Sequence, residues 1–215
     1  MSKALKEASN NVGGLSSPSK MPCYSYSIPA STCNVGSKLR SVKGSVCEHC
    51  YACKGRYLFS NVQNALNRRL QSMHDLGQWT VNMIRAIALT GNDYFRWHDS
   101  GDLQSMAHLK AIVDIAIALP NVMFWLPTKE YKLVYQYRVG FGQFPTNLNV
   151  RVSAAMVGEK APSLGLPTSV VLKDVNNVNN MNNVSLCPAP RQGGKCLDCR
   201  KCWDKDVYTV AYGKH

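Results

Sequence analysis

With 25 Lys and Arg against 13 Asp and Glu, the 215-residue chain carries a formal net charge of +12, together with 45% hydrophobic residues and nine cysteines. That length and apolar content suffice for one sizeable core and exclude disorder throughout. No apolar run approaches the roughly 18 residues of a spanning helix, and the opening Met1-Ser-Lys-Ala-Leu-Lys-Glu7 lacks the apolar stretch of a secretory signal, so a soluble, cytoplasmic protein without a membrane partner is expected.

Residues 1–20 are rich in Ser, Asn, Gly and Lys and read as a flexible leader, with residues 21–215 as a single α/β domain. From Met21 to Gly55, Pro22, Pro29, Gly36, Gly44 and Gly55 interrupt any periodicity, which predicts a long loop that needs an organiser such as a metal. Residues 61–90 turn helical, with Leu76, Trp79, Met83, Ile84, Ile87 and Ala88 recurring at three and four before Gly91.

Alternation follows. Tyr94–Trp97 reads as a strand running into His98-Asp-Ser-Gly-Asp102; Met106, Leu109, Ile112, Val113, Ala116 and Ile117 form one helix face closed by Pro120. Val122–Leu126 is the next strand, ending at Pro127, and Lys129–Arg138 the next helix. Leu148–Ser153 and Ser169–Leu172 are strands, Asn176–Asn183 a surface loop, and Val207–Ala211 a last strand. The alternation predicts a parallel sheet.

In such folds chemistry gathers at the carboxyl ends of the strands. Here those ends carry His98, Asp99 and Asp102, then Thr128, Lys129 and Glu130, then Ser153. Asp99 or Ser100 alone reads as a helix cap. The coincidence of several polar strand ends is what points to a site.

The cysteines fall into two groups, Cys23, Cys33, Cys47, Cys50 and Cys53, and Cys187, Cys196, Cys199 and Cys202. In a reducing compartment such clusters read as metal ligands before disulfides. Cys196-Leu-Asp-Cys199-Arg-Lys-Cys202, with Cys187 beside Pro188, turns successive thiolates onto one centre, and residues 187–206 read as a metal-binding segment. Three close cysteines and a remote fourth beside proline fit a 4Fe–4S cluster better than the paired spacing of a zinc ribbon, with zinc the alternative there. Cys47-Glu-His-Cys50-Tyr-Ala-Cys53 repeats the spacing, with Cys33 upstream; His49 reads as an outer or exposed residue.

Residues 1–60 hold 8 basic and 2 acidic side chains, half of the net excess. Lys38, Arg40, Lys43, Lys54 and Arg56 are expected to lower the pKa of the nearby thiols and to offset the charge of a cluster. The basic balance also admits a nucleic-acid partner.

Ser31-Thr-Cys33, Val46-Cys-Glu-His-Cys-Tyr-Ala-Cys-Lys-Gly-Arg-Tyr57, Phe95-Arg-Trp-His-Asp-Ser-Gly-Asp102 and Cys196–Trp203 together resemble a family of uncharacterised bacteriophage gene-product proteins, over nearly the whole chain after residue 20. The Cys-x-x-Cys-Tyr-Ala element more distantly resembles proteins related to radical S-adenosylmethionine (SAM) enzymes. That resemblance implies a partial or full (β/α) barrel, a three-cysteine set on Cys33, Cys47 and Cys50 with one iron open to SAM, and Gly101-Asp102 at the cofactor's amino group. The gap from Cys33 to Cys47 is longer than in those enzymes, and Ser100-Gly-Asp102 replaces their Gly-Gly-Glu. The long gap leaves Cys23 or Cys53 open as a fourth ligand.

Two readings result. One is a phage iron–sulfur protein with one or two 4Fe–4S clusters, radical-SAM-like or redox-active, served by a redox partner protein, with Arg96, His98, Asp99 and Asp102 as ligand-binding or acid/base candidates. The other is a zinc-stabilised nucleic-acid-binding protein without catalysis. Trp97 and Trp125 lie in strand patterns and read as core residues rather than base-stacking platforms.

Overall fold

The computed structural model describes residues 2–180 and 183–214. Seven strands form one sheet: β1 (Tyr24–Tyr26), β2 (Tyr94–Trp97), β3 (Met123–Thr128), β4 (Leu148–Ser153), β5 (Thr168–Leu172), β6 (Val184–Leu186) and β7 (Thr209–Gly213). The order is β1-β2-β3-β4-β5-β7-β6, and every neighbouring pair is parallel. The helices are α1 (Lys3–Asn11), α2 (Asn34–Leu39), α3 (Ser60–Ser72), α4 (Leu76–Ala88), α5 (Met106–Ala118) and α6 (Tyr131–Phe141). The architecture is a mixed α/β fold of the partial (β/α) barrel type, with β1 and β6 at its edges. None of its described helices is long and apolar enough to cross a membrane.

Alternation along the strands separates two faces. Phe95, Trp97, Phe124, Leu126, Leu148, Val150 and Val152 pack with the helices in the main core, alongside Trp79, Met83, Leu109 and Ile112. Tyr94, Met123 and Trp125 face the other way and pack with Cys23, Trp203 and Cys202. The last cysteine-rich segment therefore lies against the inner face of the sheet.

Two buried polar side chains hold it there. Asn149 Nδ2 donates to the carbonyls of Cys202 and Asp204, at 2.9 and 3.2 Å. Arg151, fully buried, gives Nη1 to the Thr168 and Tyr208 carbonyls and Nη2 to those of Lys201, Asp204 and Val207, at 2.8–3.2 Å. A planar guanidinium with five donors suits a bundle of converging carbonyls. Trp203 adds its indole, Nε1 donating to Phe95 O at 2.9 Å and the ring meeting Tyr94 and Trp125 edge-on.

The start of the chain departs from the flexible leader predicted for residues 1–20. Ser2 caps α1, its Oγ accepting Leu5 N at 3.2 Å, and Leu5, Ala8 and Val12 are buried. Tyr26 Oη secures the packing: it lies 2.9 Å from the Val12 and Arg69 carbonyls and accepts Trp79 Nε1–H at 3.1 Å. Sparse apolar residues hid this helix from a periodicity argument.

Other differences are local. The helical stretch over 61–90 is broken at Met73–Asp75, where Asp75 caps α4 through Gln78 N. β3 continues through Pro127 to Thr128 instead of ending at Pro127, because β2 pairs only as far as Trp125 and the proline has no ladder partner to lose on that side. Within the Asn-rich stretch, Val175–Asn180 forms a 3-10 turn, while Met181 and Asn182 lie outside the described residues.

Candidate functional site

The carboxyl ends of the strands open into a cavity of about 410 Å³. Arg96 and Asp99 enter it from β2, Pro127 and Thr128 from β3, Ser153 from β4, Val171 from β5 and Tyr212 from β7. Cys33, Cys47 and Cys50 form part of its wall. These three are the set that the SAM-enzyme resemblance implies, and the sheet and the loop bring them to one space.

Short turns position the thiols. Cys33 closes a 3-10 turn over Ala30–Thr32 and leads directly into α2. Cys50 N donates to Cys47 O and Cys53 N to Cys50 O, at 3.2 and 3.1 Å, so each two-residue gap is one i to i+3 turn. The loop is tied to the strand ends from outside: Val46 N donates to Ala155 O at 2.8 Å, and Glu130 Oε1 accepts Val35 N at 2.9 Å. Within it, Ser45 Oγ donates to Leu39 O while accepting Glu48 N, and Glu48 Oε2 accepts Gly44 N.

Gly36 reveals how closely the sulfurs approach. A Cβ there would stand 3.1 Å from Cys33 Cβ and 3.6 Å from both Cys33 Sγ and Cys47 Sγ, so the sulfurs lie within twice 3.6 Å of one another. Cys53 adjoins Cys50 but does not line the cavity. Cys23 parts from this group altogether and packs with Trp125 and Trp203, near Cys196 of the other group.

Among the described residues, no three His, Cys, Asp or Glu side chains are gathered as ligands of a single metal ion. Burial pushes Cys33 up to about 12, aided by Asp102, Cys50 and Cys47 and opposed by Arg40. Cys47 is also raised, chiefly by burial, with Lys129 opposing. The expected lowering by nearby basic residues is thus reversed: desolvation and mutual repulsion of the thiols outweigh it.

In the second group Cys187 and Cys196 are raised by burial and by their thiol neighbours, and Cys202 is raised to about 11 by burial. Cys199 N donates to Cys196 O at 2.9 Å, Cys196 N to Lys20 O at 2.9 Å, and Cys187 N to Ala211 O at 2.8 Å. Cys202 Sγ lies 3.1 Å from Tyr212 Oη. Tyr212 lines the cavity as well, so this tyrosine joins the cavity to the second cysteine group.

The remaining sequence candidates differ in what they can do. Asp102 is buried with its carboxylate fully engaged: Oδ1 accepts Thr128 Oγ1–H at 2.6 Å and Leu103 N at 2.8 Å, and Oδ2 accepts Lys129 N at 2.9 Å. It fastens the end of β3 to the loop after β2. Gly101 has φ +80, and a Cβ would fall 2.3 Å from Ile28 Cγ1, so close packing against the end of β1 requires glycine there.

Asp99 accepts Tyr57 Oη–H on Oδ2 at 2.7 Å and Tyr51 Oη–H on its carbonyl, leaving Oδ1 without a partner. Arg96 lies with its guanidinium carbon 4.4 Å from the centroid of the Trp125 ring. Burial works against its charge, but Tyr51, Asp99, Tyr212 and Cys202 outweigh it and its pKa rises. His98 borders the cavity at φ +52, yet its ring packs near Trp97 and edge-on to His108, with centroids 5.4 Å apart from the latter. Burial holds its pKa well below the usual value, so the imidazole is neutral.

Sequence reasoning gave no role to Tyr51, Tyr57, Arg151 or Tyr212, and it placed Glu130 at a strand end without a partner. The two first tyrosines stand within the Cys-Tyr-Ala to Tyr57 motif, which was the available signal. Arg151 and Tyr212 sit in apolar strands, where only their polarity could have marked them.

No curated protein and no solved structure matches this chain. Residues 2–205 match the family Gene product 88, in agreement with the resemblance to a gene-product family. The chain belongs to the Gene product 88 family.

Proposed function

We propose that this protein is an iron–sulfur protein whose cavity is the site of a radical-SAM-like or redox reaction. Cys33, Cys47 and Cys50 would hold a 4Fe–4S cluster at the cavity wall, and Cys187, Cys196, Cys199 and Cys202 a second. The observation that carries this reading is the convergence of those first three thiols on a cavity at the carboxyl ends of a parallel sheet.

The donor set fits such a group. Sulfurs around one tetrahedral zinc stand about 3.8 Å apart, given a Zn–S bond of about 2.3 Å, and no such single-ion cage is present among the described residues. Gly36 lets the backbone of α2 approach both Cys33 and Cys47 closely, which keeps the two sulfurs within reach of one inorganic core. Iron binds the thiolate form, so loading the site would release the thiol protons.

When bound, a reduced cluster with an open iron supplies one electron to a ligand held on it. The chain's own side chains do the rest. Glu130 fixes the first turn of α2 behind Cys33. Asp102 holds the end of β3 to the loop after β2 through hydrogen bonds on both carboxylate oxygens. Tyr51 and Tyr57 orient Asp99, whose free Oδ1 takes a hydrogen-bond donor or a proton. A redox partner protein would supply reducing equivalents through the C-terminal segment.

Anaerobic purification tests the reading. A brown protein with acid-labile sulfide and about eight irons per chain is expected when both sites are filled. Replacing Cys33, Cys47 and Cys50 with serine should remove about half of the iron, and replacing Cys196 and Cys199 the other half. A colourless protein with stoichiometric zinc, and no iron uptake on reconstitution, would overturn it in favour of the zinc-stabilised module.

A further inference from the structure

Arg96 brings a positive charge into the floor of the cavity without a carboxylate to meet it. Among the described residues the recorded ion pair is His49 with Glu48, at 3.9 Å, and Arg96 has none. Its Nη1–H goes to the sulfur of Met21 at 3.2 Å, and its Nε–H finds no acceptor. A thioether is a weak acceptor, and the Trp125 face 4.4 Å away contributes about 2 kcal/mol at most. Removing a guanidinium from water costs several kcal/mol. Tyr51, Asp99, Tyr212 and Cys202 nevertheless favour the charged form, so Arg96 stays a guanidinium whose Nε–H has no acceptor among the described residues.

The cavity around it has the same bias. Lys129 and Lys214 line it too. Of its two carboxylates, Asp102 is wholly engaged and Asp99 has given Oδ2 to Tyr57. The volume, about 410 Å³, falls in the range of small-molecule sites, about 300–1,000 Å³.

We propose that this cavity binds a small substrate through an oxyanion, a carboxylate or a phosphate, held by Arg96 with Lys129 and Lys214 in the same lining. Guanidinium favours such groups because two N–H donors match two oxygens of one plane. The site stands on the cavity and its charges, and does not require either cluster. The competing account is that Arg96 serves the thiols of Cys23, Cys196 and Cys202, on which its charge also acts.

The test is a titration of the anaerobically purified protein with sodium phosphate and, separately, with sodium acetate. Ionic strength is held constant with sodium chloride, and iron is counted in parallel. Tryptophan fluorescence, to which Trp125 beside Arg96 contributes with three other tryptophans, reports occupancy, and thermal unfolding reports affinity. A saturable rise in Tm with a fluorescence change is expected for at least one anion; a response to phosphate alone assigns a phosphate ligand, and one to acetate alone a carboxylate. Arg96→Lys should weaken the response by about tenfold or more, Arg96→Met should abolish it, and Lys160→Ala, an exposed lysine outside the cavity, should leave it unchanged. Should Arg96→Met not fold, the double substitution Lys129→Ala and Lys214→Ala must weaken the response instead.

Failure of both anions to act on the wild type would overturn the proposal. So would a response that survives in Arg96→Met while iron is lost, which assigns Arg96 to the thiols. An iron-free wild type that still responds to anions would sink the cluster reading and uphold this one.

Discussion

Glu130 Oε1 accepts the backbone N–H of Val35 at 2.9 Å, joining the start of α6 to the first turn of the helix that opens at Cys33. An acidic side chain there satisfies an N–H that the helix itself leaves unpaired and meets the positive end of its dipole. Glu130 is buried, so its removal leaves the Val35 N–H without an acceptor. Glu130→Ala is expected to cost about 1–3 kcal/mol in urea unfolding and to lower iron content, with Glu130→Gln intermediate. The exposed Glu159→Gln should change neither measurement.

Gly36 separates stability from metal binding. It lies inside α2, where alanine in place of glycine gains about 0.5–1 kcal/mol. The added methyl would occupy the space 3.6 Å from the sulfurs of Cys33 and Cys47. The same methyl would press on Cys33 Cβ at 3.1 Å and offset the helical gain, so Gly36→Ala should unfold within about 1 kcal/mol of the wild type while holding less iron per chain. A variant that keeps full iron content at wild-type stability would show that this space is not needed by the cluster.

The middle of the sheet was legible because β2, β3 and β4 are separated by the helices α5 and α6, and most of the expected faces of α4 and α5 are buried, Ala88 and Ile117 at their ends being exposed. The polar ends of those strands likewise led to the cavity. Other features depend on partners distant in sequence. β1 and β6 are three residues each, too short for a period. Cys23 belongs by sequence with the first cysteines, yet Trp125 and Trp203 draw it to the second group. Asp102 looked like a reactive carboxylate because nothing in its neighbours in sequence announces Thr128 and Lys129 as its partners.

Arg151 is expected to govern the C-terminal segment. Its two terminal nitrogens donate to five carbonyls, three of them on residues 201–207, and truncation would leave those of Lys201 and Val207 without the arginine while Asp204 O keeps Asn149 and Tyr208 O keeps Thr168 N. Arg151→Met should destabilise the protein by at least about 3 kcal/mol. Limited proteolysis should then cut within residues 187–206 before it cuts elsewhere. Arg151→Lys, with fewer donors in no fixed plane, should rescue only part of the loss.

The buried histidines predict how stability varies with acid. Burial depresses His108 to about 3 from an ordinary 6.5, and His98 is also held well below its ordinary value. The unfolded chain takes up protons on both imidazoles as the pH falls through 6.5, whereas the folded chain does not until far lower. Their contribution to stability is thus complete above 6.5 and is lost as the pH drops from there toward about 3. Each histidine contributes a slope of up to about 1.4 kcal/mol per pH unit inside that window. Urea midpoints measured from pH 7 to pH 4 should fall accordingly. His108→Gln, which has no proton to gain, should flatten the curve by one histidine's share even where it lowers stability at neutral pH. An unchanged slope in that variant would mean that His108 is protonated in the folded state, against the burial that surrounds it.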